Sequence, residues 1–233
     1  MAKKRGMMVF GTETYERIFR SAYQGLVTNL LLLVFGLPLV VGFTVIEHPL
    51  VSWPFLLALS LPCAPAVAAA FASFSESRRE DEVRPVRQFV AGLRHVWLRA
   101  LLVWAVAVVA IVVIGVDATV LQATSAGSLL APALIILSGL VVVLTFNILV
   151  GVGEFSDVRL SNLLKWSFLL AVRQWYFGLI TVAMLGCISV AFIFQPVVGI
   201  LVTPAFLFFV IWANTRQAFD RLLDPRSATV PAK

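Results

Sequence analysis

Long apolar runs alternate with short polar stretches along the whole chain, and their lengths set the first expectation. A helix that crosses a bilayer needs about 20 mostly apolar residues, with a working range of roughly 17–25. Six segments qualify, at about 25–43, 53–74, 98–116, 129–151, 176–194 and 197–214. The last two are separated only by Phe194, Gln195 and Pro196, so a tight hairpin is expected there. The pattern predicts an all-α, polytopic membrane protein: a single membrane domain over 1–233, with six transmembrane helices arranged as three hairpins.

A different period precedes each odd-numbered span. Tyr15, Ile18, Phe19, Ala22 and Leu26 fall on one helical face, with Glu13, Glu16, Arg17, Arg20 and Gln24 largely opposite. Val86, Phe89, Val90, Leu93 and Trp97 repeat this against Arg84, Arg87, Gln88 and Arg94. Leu160, Leu163, Leu164, Phe168 and Val172 do so less cleanly, opposite Arg159, Asn162 and Lys165. Apolar i, i+3, i+4 spacing with a basic polar face is the pattern of an interfacial helix. Separate interfacial elbows are therefore expected at about 12–24, 83–96 and 158–174. Each elbow also carries an aromatic, an Arg five residues on, and an aromatic three beyond that: Tyr15–Arg20–Tyr23, Phe89–Arg94–Trp97 and Phe168–Arg173–Tyr176. These copies fit either a repeated unit of elbow, span and return span or a shared interfacial belt of aromatics and snorkelling cations.

Composition agrees with a membrane protein. Of 233 residues, 61% are hydrophobic and 13% charged, against about half and a quarter in soluble domains. Charge adds the orientation. All 18 Lys and Arg residues fall on one side of the six spans, while the opposite connections carry only Glu47, His48 and Asp117. The bias of Lys and Arg in short flanking loops sets topology, so both termini are expected in the cytoplasm. The net charge of +6 then reads as topogenic and as contact with the anionic lipids of the cytoplasmic leaflet, not as a nucleic-acid footprint.

No Asp, Glu, Lys or Arg is expected at mid-bilayer depth; Arg99 and Glu154 come nearest and remain within reach of the basic interface. That argues against an ion-coupled carrier. The polar residues left are neutral. Asn29, Asn147 and Asn214 lie near the basic ends of spans one, four and six, where they either clamp adjacent helices or line a cytoplasm-facing cavity. Leu61-Pro62-Cys63-Ala64-Pro65 places two prolines within span two. Pro62 and Pro65 either open a binding site at a broken helix or kink the span ahead of closely packed alanines at Ala64/Ala68 and Ala66/Ala70. Acids follow the even spans at Glu76, Glu154 and Asp220. Either Arg20, Arg94 and Arg173 of the elbows snorkel within an interfacial belt, or they pair with these acids and lock neighbouring units together.

Chemistry-bearing motifs are missing. The chain has no G-x-x-x-x-G-K-[ST], G-x-S-x-G or H-E-x-x-H, and His48 and His95 stand on opposite sides of the membrane. Cys63 and Cys187 have no companion at metal-ligand spacing. No catalytic residue, cofactor or metal is expected, and the chain is read as a non-enzyme.

Several segments resemble the YesL-like family of bacterial membrane proteins. Leu26 to Pro38 and Pro62 to Ala70 are similar to its first two spans, Gln88 to Arg94 and Phe168 to Arg173 to its elbow segments, and Thr203 to Phe209 to its last span. One departure is an insertion of about two dozen residues, including Glu47-His48-Pro49 and Trp53-Pro54, between the first proline and the P-A-x-A-A stretch. The resemblance implies a bacterial inner-membrane protein often associated with carbohydrate ABC transporters, with no established catalytic or ligand residues. It makes an accessory or assembly partner of a sugar-uptake transporter the leading expectation, with transporter subunits as partners. The alternative is a passive channel or carrier for a small neutral solute.

Overall fold

A computed structural model of the chain describes residues 6–48, 51–79, 84–122, 127–155, 157–194 and 203–223, and every regular element among them is helical. In chain order these are α1 (Gly6–Val45), α2 (Trp53–Leu59), α3 (Cys63–Arg79), α4 (Pro85–Gln122), α5 (Gly127–Glu154), α6 (Leu160–Arg173), α7 (Trp175–Phe194) and α8 (Thr203–Leu223). Among the described residues, three stretches are long and apolar enough to cross a membrane unaided: Ala22–Val45, Pro85–Leu121 and Leu130–Glu154. Two bent pairs, α2 with α3 and α6 with α7, raise that to five if each counts as one span. The expected six spans in three hairpins are thus met only in part, as an all-helical chain with three to five candidate spans among the described residues. Span six, expected at 197–214, begins outside the described residues, and its described portion continues as helix past Asn214 to Leu223.

The surface identifies the solvent. On α1, Leu26, Leu30, Val34, Leu37 and Val41 are exposed, and on α4 so are Leu98, Leu102, Val106, Val109, Val113, Val116 and Val120. Contiguous apolar stripes of that length have no place in water but are at home against lipid tails. Several neutral polar residues face inward instead, among them Thr28, Asn29, Ser73, Thr145 and Asn147.

The centre of the bundle is α3. Ala64, Ala66, Ala68, Ala69, Ala70 and Phe71 are fully buried, and α3 packs against α1, α4, α5 and α8. Small side chains allow this, because close backbone approach is what drives helix association where no hydrophobic effect operates. Gly92 of α4 and Gly153 of α5 complete the fit. A Cβ on Gly153 would lie 3.0 Å from both the Ala68 carbonyl oxygen and the Ala72 amide nitrogen.

Two elbows differ from expectation. Residues 12–24 and the described part of 83–96 from Pro85 onward are not separate interfacial helices but the leading turns of α1 and α4, which run 40 and 38 residues without interruption. Neither junction holds a proline, so nothing removes a ladder hydrogen bond there. Only the third elbow is a distinct element: α6 turns 96° into α7 at Gln174. Span two is also divided. Ser60, Leu61 and Pro62 form a turn between α2 and α3, which meet at 46°. Pro62 lies just before α3 and Pro65 in its first turn, where a missing N–H leaves no bond unmade. The prolines therefore start a helix here and do not interrupt one. Trp104 of α4 donates its indole N–H to Ser60 Oγ at 2.9 Å, tying the break to its neighbour.

Candidate functional site

A cluster of charged groups forms where the ends of α3 and α5 meet α8. Glu154 closes α5 with its side chain only 4% exposed. A bare carboxylate so placed would be costly, and two partners offset the cost. Arg216 of α8 brings Nη1 to 3.4 Å from Glu154 Oε1, and the Trp212 indole N–H donates to Oε2 at 3.3 Å. Trp212 and Arg216 are one helical turn apart, so both point at α5 from the same face of α8. Arg216 Nε also lies 3.9 Å from Asp220 Oδ2, a further turn along.

Trp212 itself is fully buried and lies between two cations. The Arg216 guanidinium is 5.5 Å from its ring centroid and that of Arg78, from the end of α3, is 5.7 Å away. Guanidinium groups over an indole within about 6 Å are attracted by the ring quadrupole. Phe74 and Phe209 pack on the same ring at 6.1 and 5.6 Å. The result is an aromatic and ionic knot joining three helices at the basic end.

The ion pairs described for two of these acids run to α8 and not to the elbow arginines Arg94 and Arg173. Glu154 and Asp220 both face Arg216. Arg94 and Arg173 are exposed and make no ion pair with a described residue, and the same holds for Glu76. Arg20 is exposed on α1. The reason is geometric: α8 stays helical past Asn214, which delivers a cation to Glu154 from within the bundle. Arg78, Trp212 and Arg216 are absent from the residues singled out by sequence. The one available signal was the Trp212/Arg216 spacing of four on a helix entering the basic interface.

The three asparagines all contact or belong to α8. Asn29 Oδ1 accepts the Ala205 backbone N–H at 2.7 Å, in the first turn of α8 where intrahelical acceptors run out. Asn147 Oδ1 accepts from Thr215 Oγ1 at 3.4 Å, and Asn214 Nδ2 donates to the Phe177 carbonyl at 3.2 Å. Each amide reaches a separate neighbour, and the three do not converge. Pro62 is exposed at the α2–α3 turn and Pro65 buried in α3, away from any of them in the contacts described.

Residues 25–118 match the family model described as a protein of unknown function, DUF624. The match runs from the first membrane stretch of α1 through α3 and most of α4. It includes Asn29, Pro62, Pro65, Glu76, Arg78 and Arg94, and stops short of Glu154, Trp212 and Arg216. The knot therefore joins Phe74 and Arg78 of the matched region to residues of α5 and α8 beyond it. No curated protein and no solved structure matches the chain.

A second polar chain lies on the same side. Gln24 Nε2 donates to Ser77 Oγ at 2.7 Å, and Ser77 Oγ donates to Gln88 Oε1 at 3.0 Å, linking α1, α3 and α4. Arg99 Nη1 donates to the Val158 carbonyl at 3.4 Å and holds the turn into α6. Among the described residues, no group of three or more His, Cys, Asp or Glu could hold a metal ion. The arrangement braces helices at one membrane face. It presents no nucleophile beside a base and no open carboxylate pair.

Proposed function

We propose that the protein is a non-enzymatic accessory or assembly partner of a carbohydrate uptake transporter in the bacterial inner membrane, with both termini cytoplasmic and the basic face inward. The observation that carries the reading is the filling of the bundle centre. Ala64 and Ala66 to Ala70 are fully or almost fully buried along α3, with Gly92 and Gly153 closing on its backbone. A helix so enclosed supports a brace more than a conduit, and the separate contacts of Asn29, Asn147 and Asn214 favour this reading over a solute channel. The transporter partnership rests on the likeness to the YesL-like family, with which the DUF624 match is consistent. Its docking surface is the basic face, where α6 runs across the end of the bundle with Lys165 and Arg173 exposed beside Phe168 and Val172.

Affinity purification in mild detergent at native expression, followed by mass spectrometry, tests it. Permease subunits of a sugar transporter should co-purify and should be lost with Lys165→Glu/Arg173→Glu. Failure to recover any transporter subunit overturns the proposal.

A further inference from the structure

Beyond the docking role, the structure carries a groove with a chemically distinct end. Between α4 and α5 a cavity of about 420 Å³ opens sideways, lined by Val103, Val106, Ala110, Leu144 and Ile148 and floored by Leu164 of α6. Leu102 and Val106, at 58% and 70% exposure, form its open lip. The lining is almost wholly apolar, and its only hydroxyls are Thr145 and Ser161. Thr145 is already spent, donating to the Val141 carbonyl at 2.7 Å. Lipid tails fit such a surface and sugars do not.

Cations border the lining residues at the end of the groove next to α6. Arg99 lies one turn before Leu102 and Val103 on the same stripe of α4, and its hydrogen bond to Val158 places its guanidinium at the turn into α6. Arg159 immediately precedes the groove residue Leu160, and Lys165 follows Leu164; both are exposed. Asp157 is the one acid between residues 157 and 165, beside the cations Arg159 and Lys165. An apolar slot running into the bilayer from a basic rim at the cytoplasmic interface is complementary to a phospholipid with a negatively charged headgroup. Basic pockets between membrane helices on that side bind such headgroups.

We infer that the α4/α5/α6 groove is a specific seat for one anionic phospholipid, an acyl chain lying along Leu102 to Ala110 and the phosphate among Arg99, Arg159 and Lys165. From Leu102 to Ala110 the helix rises about 12 Å, enough for a substantial part of one chain.

Native mass spectrometry of the full-length protein, titrated with phosphatidylglycerol or phosphatidylethanolamine, tests the seat. One phosphatidylglycerol should bind at least tenfold more tightly than phosphatidylethanolamine. Arg159→Gln/Lys165→Gln should lower phosphatidylglycerol affinity by about 5-fold per charge removed and leave phosphatidylethanolamine unchanged. Ala110→Phe, which fills the slot, should remove the single tight adduct of either lipid. Arg87→Gln/Arg94→Gln removes two exposed cations elsewhere on α4 and should change nothing, and monodisperse elution shows which variants are folded. Equal binding of the two lipids by the wild type, undiminished phosphatidylglycerol binding by the folded Arg159/Lys165 variant, or an equal loss in the Arg87/Arg94 variant each overturns the inference.

Discussion

Glu154 shows how one buried charge organises its surroundings. With 4% of its side chain exposed, the carboxylate depends on Arg216 and on the Trp212 N–H, and the two dependences differ in kind. Removing Arg216 leaves the buried negative charge without its described cation, and breaking a fully enclosed pair in this way destabilises by about 3–5 kcal/mol. Arg216 is 26% exposed, so water relieves part of this, and roughly 2–3 kcal/mol is expected for Arg216→Gln. Glu154→Gln differs: the amide oxygen still accepts from Trp212, and Arg216 keeps Asp220 and solvent. A loss near 1 kcal/mol is expected, within the range for a single hydrogen bond. Chemical unfolding in detergent separates them, and a Glu154→Gln loss equal to or larger than that of Arg216→Gln would sink this account of the site.

At the scale of elements, packing around α3 turns on glycines that differ only in what faces them. A Cβ at Gly153 meets backbone atoms of α3 at 3.0 Å, whereas one at Gly36 meets nothing within 4 Å. Backbone cannot yield as a side-chain tip can, so Gly153→Val should cost about 1–3 kcal/mol as overpacking. Gly36→Ala should instead gain about 0.5–1 kcal/mol from helix propensity. A thermal melt in which both variants move the same way would refute the close approach. Much of this layer is legible in the sequence. Ala64/Ala68 and Ala66/Ala70 spell small-residue packing, and the apolar runs spell helices because span length is set by the bilayer and not by tertiary detail. Helix ends are less legible. Amphipathic period at 83–96 and apolar run at 98–116 differ in which faces meet water, yet the backbone continues through both as α4, since a change of solvent breaks no hydrogen bond. The site is least legible of all. Glu154 and Asp220 stand out as acids, but their partner Arg216 is recognisable only once α8 is known to continue past Asn214 and lie against the end of α5.

The whole molecule has its basic helix ends assembled together, and the contacts that assemble them come from every part of the chain. Gln24, Ser77 and Gln88 join α1, α3 and α4, Arg99 reaches the turn into α6, and Glu154 with Arg216 joins α5 to α8. At the other end, Trp53 packs on Gly115, close to the acidic Asp117. Such polarity is an orientation signal in a bilayer, because translocating Lys and Arg is what insertion resists. It makes a labelling prediction that also tests the hairpin count. With Cys63 and Cys187 replaced by alanine, single cysteines at Val51 and Val120, both exposed at the acidic end, should react with a membrane-impermeant maleimide in right-side-out vesicles. Cysteines at Lys165 and Arg221 should react only after permeabilisation. The pair Lys165 and Arg221 flanks α7 and most of α8, so equal protection is the outcome expected if those two helices cross and return as a hairpin. Labelling of Arg221→Cys in sealed vesicles with Lys165→Cys protected would mean that α8 does not complete a crossing, and the basic end would then be split between the two faces of the membrane. The Glu154–Arg216 contact argues against that split, since it holds the end of α5 and the Arg216 turn of α8 within one ion pair's length of each other.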